Sequence, residues 1–103
     1  MKHDEIRWYK FLKPDKKRPV LILTRDALLE YHGEVTIAPI TTTIRNIPSE
    51  VFLSKADGMP QDYAVNCDHL QSVSKRKIES LITFLPLSKM LEVGRAIHFA
   101  LDI

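Results

Sequence analysis

Cys67 and His69 are the residues of this chain that most resemble a nucleophile and its base. They are two apart in sequence, so on a strand their side chains would share one face. A thiol beside an imidazole is a known nucleophilic pairing. Neighbours on one strand rarely point at each other, however, and free cysteine usually behaves as a small buried side chain. We therefore expect Cys67 to be buried rather than reactive.

A second stretch, residues 10–18, concentrates positive charge. It contains five cations and a single acid, Asp15, and it lies beside or overlaps three aromatic residues. Cations that follow phosphates and rings that stack on bases are typical of single-stranded nucleic-acid surfaces. A solvated turn with its rings in the core is the alternative, and charge alone favours it. The cations are Lys10, Lys13, Lys16, Lys17 and Arg18, and the rings are those of Trp8, Tyr9 and Phe11.

The composition excludes several classes of protein. With 103 residues, 45% of them hydrophobic and 27% charged, the chain is expected to form one domain over 1–103 with its own core. It has no apolar run of membrane-helix length and no apolar signal segment near its start. One cysteine cannot form an internal disulfide, which favours a cytoplasmic location. Phosphate-loop and zinc-protease motifs are absent and the four histidines are scattered, so we expect no metal and no cofactor.

The elements that must position these residues are mostly strands. Short apolar or alternating segments predict strands over 5–11, 18–24, 34–41, 50–53, 63–68 and 78–85. Pro39 indicates an edge or a bulge in the third of them. A stripe of apolar residues from Met90 to Leu101 predicts a final helix with Ser88 as its N-cap. The fold class is therefore a small, mainly antiparallel β-barrel with a C-terminal α-helix.

Several stretches, in order along nearly the whole chain, resemble the MazF/PemK family of toxin endoribonucleases. Arg18 to Leu23 resembles the strand that begins with the family's Arg-Pro-Val motif, and Ala38 to Arg45 resembles the segment that begins Ala-Pro-Ile-Thr. Further matches are Ile47–Val51 to the Pro-Thr-Glu-Val strand, Gly58–Val65 to the Gly-Leu-Pro turn, Asn66–Val73 to the Asp-Gln-Ile-Arg-Thr-Val stretch, and the tail from Leu85 to the last helix.

The resemblance implies an SH3-like barrel that forms a homodimer and cleaves single-stranded RNA at short sequences without a metal. It also implies a small antitoxin protein as partner. Arg18 and Thr41 fall on positions that the family uses in catalysis, and Asp68 falls on a polar position that some members use. Arginine suits the phosphate, because its fork stays charged and matches two phosphate oxygens. Thr41 would donate a hydrogen bond to the same phosphate.

The chain departs from the family in its first loop, which is short and basic here, so Asp15 is only a candidate substitute for an acid seated there. Asn66 stands where one branch has arginine, and His69 and Gln71 follow the aspartate where many members have Gln and Arg. His69 has a suitable reference pKa for proton transfer. The residues expected to contact RNA are Lys13, Lys16, Lys17, Thr42 and Gln71, with Asn66, His69 and Asp15 as further catalytic or RNA-binding candidates.

Two other functions stay open from the sequence. One is a non-enzymatic toxin of the same fold that binds DNA gyrase through its C-terminal residues. The tail Ala100-Leu101-Asp102-Ile103 is mostly apolar and more typical of a packed helix end. The other is a barrel that binds nucleic acid but has lost activity.

Overall fold

The computed structural model describes residues 1–10 and 17–103, which form seven strands and two α-helices. Phe11 and the three candidates Lys13, Asp15 and Lys16 lie outside the described residues. The strands are β1 (Glu5–Lys10), β2 (Lys17–Ile22), β3 (Glu34–Thr41), β4 (Glu50–Leu53), β5 (Tyr63–Asn66), β6 (Gln71–Ser74) and β7 (Ile78–Phe84), and the helices are α1 (Asp26–Leu29) and α2 (Leu87–Leu101).

Strands β2 and β3 form the centre of the sheet. From Val20 to Ile22 each residue of β2 is fully buried, because both faces of the strand are covered, as its continuous apolar run predicts. β3 pairs with β2 on one side and, on the other, first with β6 and then with β5. Pro39 lies between those two pairings, where β3 leaves one partner and takes the next. The predicted edge or bulge is therefore a change of partner inside the sheet.

All strand pairings are antiparallel, and the order is β4-β5-β3-β2-β1-β7 with β6 added beside β3. The predicted mainly antiparallel fold with a C-terminal helix is confirmed. The predicted barrel is corrected in one respect: across the described strands the sheet does not close, since β4 and β7 remain its two ends. The two ends nevertheless come near each other, because Gly58, which follows β4, packs against Thr83 of β7.

The last helix packs one apolar stripe on the core. Val93 and Ala96 are buried, and Met90 and Ile97 pack against the main core cluster. The predicted N-cap is wrong: the cap position is Pro86, whose fixed φ suits a helix start, and Ser88 lies within the helix. In the described part of the chain, no helix has the length and apolar content that crossing a bilayer requires.

Candidate phosphate-binding site

Arg18 of β2 and Thr41 of β3 lie on adjacent strands and line the same pocket. Val20 lies opposite Pro39 and Leu21 opposite Ala38; continued for two residues, this register sets Arg18 opposite Thr41. Positions two apart on a strand share a face, so both side chains project to the same side of the sheet. Directly opposed residues have their Cβ atoms about 5 Å apart, close enough for the two side chains to hold one anion.

A pocket of about 270 Å³ opens where the two strands end. The strand β2 lines it with Lys17, Arg18 and Pro19, and β3 with the turn that follows lines it with Ile40, Thr41, Thr42 and Thr43. Tyr63 of β5 completes the wall. Arg18 is exposed and Thr41 is half-buried, so the pair faces solvent. The pocket can therefore admit a ligand.

The hydroxyl of Thr41 is oriented by its own turn. Its oxygen accepts a hydrogen bond from the backbone N–H of Thr43 at 3.1 Å, a local bond typical of threonine at the end of a strand. Because a hydroxyl both donates and accepts, its proton stays available for a second partner. Thr41 can therefore donate to a ligand in the pocket that it lines.

The charge in the pocket is positive. Among the residues that the structure describes, no carboxylate pairs with Arg18, whereas Lys17 pairs with Glu79 at 2.8 Å. Of the described lining residues, none is a carboxylate or an imidazole. An exposed guanidinium beside an oriented hydroxyl suits a phosphate, because the guanidinium fork matches two phosphate oxygens.

Four of the described candidates do not line this pocket. Asp68 is absent from the lining and lies in the turn after β5, four residues beyond Ala64, the residue that pairs with Thr41. Asn66, His69 and Gln71 are likewise absent from the lining. Asn66 accepts a hydrogen bond from the Asp68 backbone N–H at 3.0 Å, and His69 and Gln71 are exposed near that turn.

Asp68 takes part in an ionic cluster at the turn after β5. The Arg45 Nε donates to Glu50 at 2.6 Å and its second nitrogen reaches Asp68 at 3.4 Å. The hydrogen bond to Glu50 is the main cause that raises the pKa of Arg45. No motif in the sequence marks this cluster. Its only signal is an arginine and a glutamate five residues apart across a turn.

Cys67 is fully buried, as predicted. Burial raises the pKa of its thiol to about 11, and the nearby charges of Asp68 and Glu50 act in the same direction. Since the thiolate is the nucleophile, Cys67 and His69 do not form a reactive pair. Tyr9 is also buried, so this ring belongs to the core and not to a base-stacking surface.

A larger groove of about 660 Å³ lies elsewhere, between α1, the start of β3 and the residues around β6. Its lining mixes apolar side chains such as Leu28 and Ile97 with Arg25, His32 and Glu34. It shares no residue with the pocket at Arg18. Within the described residues, no cluster of three or more His, Cys, Asp or Glu side chains could hold a metal ion.

Comparisons with known proteins agree with one another. Residues 2–101 match the family model described as PemK-like, MazF-like toxin of type II toxin-antitoxin system. Endoribonuclease MazF3 of Mycobacterium tuberculosis is 38% identical over 89 residues, which cover 86% of each chain. The solved Mycobacterium tuberculosis toxin MazF-mt6 is 35% identical, with a TM-score of 0.87 over 96% of this chain and 97% of its own. A mycobacterial endoribonuclease solved in complex with its cognate antitoxin shares the fold at 21% identity, with a TM-score of 0.88 over 100% of this chain and 96% of its own.

Proposed function

Because the chain belongs to the PemK-like, MazF-like toxins of type II toxin–antitoxin systems, we propose that it is an endoribonuclease that cleaves single-stranded messenger RNA at short sequences. Its relatives named endoribonucleases support this activity. The observation that carries the proposal is the placement of Arg18 and Thr41, which both line one open pocket. The endoribonuclease names of its relatives favour an enzyme over a gyrase-binding or inactive barrel.

The reaction uses the ribose 2′-hydroxyl as its nucleophile. That oxygen gives its proton to a general base and attacks the adjacent phosphorus, and a dianionic phosphorane forms. The 5′-oxygen of the next nucleotide then leaves with a proton, so that the upstream fragment ends in a 2′,3′-cyclic phosphate. Arg18 stabilises the growing charge on two phosphate oxygens. Thr41 donates a hydrogen bond from its hydroxyl to the same phosphate, in the orientation that its bond from Thr43 favours. DNA has no 2′-hydroxyl and is not a substrate.

Lys17 and Thr42 line the same pocket, and we assign them to binding of the RNA backbone beside the cleaved phosphate. Lysine contributes charge that follows the phosphates, and a threonine hydroxyl contributes a directed hydrogen bond. Lys13 and Lys16, from the segment between β1 and β2, are assigned the same role on sequence grounds.

The partner proteins are a cognate antitoxin and a second copy of the chain. A disordered acidic segment of the antitoxin would fold onto the basic pocket. For the homodimer, the exposed apolar side chains of Phe84, Leu87 and Leu91 offer an uncovered surface at the start of α2. The proposed location is the cytoplasm, where messenger RNA is available and a single thiol stays reduced.

The experiment that tests the proposed function uses the purified protein and a mixed-sequence RNA in the presence of EDTA. We expect discrete cuts in the RNA that leave 5′-hydroxyl ends. A DNA of the same sequence, incubated in the same way, should stay intact. A substrate with one 2′-deoxyribose at the mapped position separates nucleophilic attack from binding, and it should bind but not be cut there. Intact RNA in all conditions would refute the enzyme, whereas cutting of the deoxy substrate would refute the 2′-hydroxyl mechanism.

The dimer surface is tested separately by Leu87→Glu with Leu91→Glu. These changes place two carboxylates in an apolar contact, so we expect the mass in solution to fall from that of a dimer to that of a monomer of 11.9 kDa. The control is Lys55→Glu, an exposed change on the short 3-10 helix Lys55–Asp57. An unchanged dimer in the first variant would place the interface elsewhere.

A further inference from the structure

The turn between β3 and β4, which carries Thr42 and Thr43, contains no strand or helix of its own, so its position depends on hydrogen bonds at its two ends. β3 ends at Thr41 and β4 begins at Glu50. At its first end, the Thr43 N–H bonds the Thr41 hydroxyl at 3.1 Å. At its second end, Arg45 is joined to Glu50 twice: its backbone N–H donates to one carboxylate oxygen at 2.9 Å and its Nε donates to the other at 2.6 Å.

Glu50 is a firm anchor for such a bond. It is the first residue of β4, pairs with Asn66 of β5, and its backbone N–H bonds the Ile47 carbonyl at 2.9 Å. Its side chain is only 3% exposed, and a buried carboxylate is stable when it is paired and hydrogen-bonded. The same guanidinium reaches Asp68 at 3.4 Å. Arg45 therefore ties the turn to the beginning of β4 and to the turn after β5.

We propose that Arg45 is a positioning residue for RNA cleavage: held by Glu50 and Asp68, it fixes the turn that orients the Thr41 hydroxyl at the pocket. The proposal rests on the proposed function. Arg45 is only two residues from Thr43, so movement at Arg45 is passed to the N–H that orients Thr41. Arg45 itself does not line the pocket, so it acts through Thr41 and not on the phosphate.

A double-mutant cycle tests this route. The variants are Arg45→Ala, Thr41→Val and the two together, each assayed on a short RNA that contains one mapped cleavage site. We expect Thr41→Val to lower kcat about 10²-fold and Arg45→Ala to lower it about 10- to 100-fold with KM changed less than about twofold, since misplacement costs rate more than binding. If Arg45 acts through Thr41, the double variant cuts about as fast as Thr41→Val alone.

Arg7→Ala is the matched control. Arg7 also binds a carboxylate, Glu5 at 2.8 Å, and a backbone carbonyl, that of Glu79 at 3.0 Å, and it does not line the pocket. Its loss should lower the melting temperature and leave kcat unchanged.

A further variant, Arg45→Met with Glu50→Gln, removes both charges together and so leaves no buried carboxylate without a partner. This variant should fold and still show the low kcat.

Three results would overturn the proposal. The first is a double variant whose fold-loss in kcat equals the product of the two single fold-losses. The second is an Arg45→Met with Glu50→Gln variant that is folded and cuts at the wild-type rate. The third is a Thr41→Val variant with unchanged kcat. Failure of the proposed function is distinct, because there the wild-type protein would leave the same RNA intact.

Discussion

Arg18 and Thr41 come from strands that are adjacent in space but separated by 22 intervening residues in sequence, and one register brings them to the same pocket. Beyond Arg18, β2 is buried on both faces from Val20 to Ile22, and β3 buries Val35 and Ile37 in one core cluster and Ala38 and Ile40 in the other. A shift of register by one residue would move these side chains from one cluster into the other. The geometry of the pair is therefore set by the packing of the core.

Arg18→Ala is expected to lower the rate of RNA cleavage at least about 10²-fold without unfolding the protein, because it removes a preorganised cation from an exposed position. Arg18→Lys is the control for charge. Lysine supplies a cation but no fork, so an intermediate rate is expected. Kinetics on the short RNA, with circular dichroism to verify the fold, measure both; normal cutting by Arg18→Ala would show that Arg18 has another role.

The variants Asp15→Asn and Asp68→Asn test which of the two candidate carboxylates acts as the general base. A general base must come within hydrogen-bond reach of the 2′-hydroxyl, and Asp68 is held by Arg45 outside the pocket lining. We therefore expect Asp68→Asn to lower kcat less than about tenfold. Asp15, three residues before Arg18, remains the candidate from sequence, and we expect the larger loss there. The pH–rate profiles of both variants provide the measurement, and a loss of about 10²-fold or more in Asp68→Asn would restore it to the catalytic group.

Gly58→Ala should destabilise the fold strongly. The added Cβ would lie 2.5 Å from the Thr83 Oγ1, and the backbone of Gly58 has φ of +90°, which side chains disfavour. Strain and overpacking together predict a loss of about 2 kcal/mol or more in the free energy of unfolding. Gly94→Ala is the contrasting case, since nothing lies within 4 Å of its added Cβ and alanine favours a helix interior by about 1 kcal/mol. Thermal melts of the two variants should shift in opposite directions.

Cys67 should be inert in the folded protein and titrate only at high pH. Burial raises its pKa from 9.0 to about 11, so the folded state holds the thiol proton more tightly than the unfolded state. This contribution to stability is complete below about pH 9 and is lost as pH rises towards 11. A thiol reagent at pH 8 should react slowly with the native protein and quickly after denaturation, and Cys67→Ala should retain cleavage. Rapid labelling of the native form would contradict the burial.

The sequence predicts the central strands well because β2 contains a continuous apolar run and β3 is rich in β-branched residues, and a polar turn lies next to each. β6 was missed because only Val73 of its four residues is buried, so its alternation is too short to see. The start of α2 was misplaced because Ser88 is a better capping residue than Pro86 when neighbouring structure is unknown. Caps depend on where the preceding strand ends, which is a tertiary fact.

For the site, too, some residues could be predicted from the sequence and others could not. Resemblance selected Arg18 and Thr41, but their presence at one pocket depends on a register between strands distant in sequence, which periodicity does not specify. Arg45 and Glu50 were passed over because two opposite charges in a polar turn are usually a solvated pair. The burial of the Glu50 side chain, at 3% exposure, distinguishes them, and burial is known only once β4 and β5 are paired.

The change of pairing partner at Pro39 divides β3 into a part that pairs with β6 and a part that carries Thr41. Thr41 follows the change and pairs with Ala64 of β5, whereas the residues from Glu34 to Ile37 precede it and pair with β6. In the turn that joins β5 to β6, the exposed His69 can therefore vary while the cutting centre stays in place, provided that Asp68 keeps its contact with Arg45. Enzymes with this fold can thus differ in the RNA sequence that they recognise while they keep the residues that cleave it.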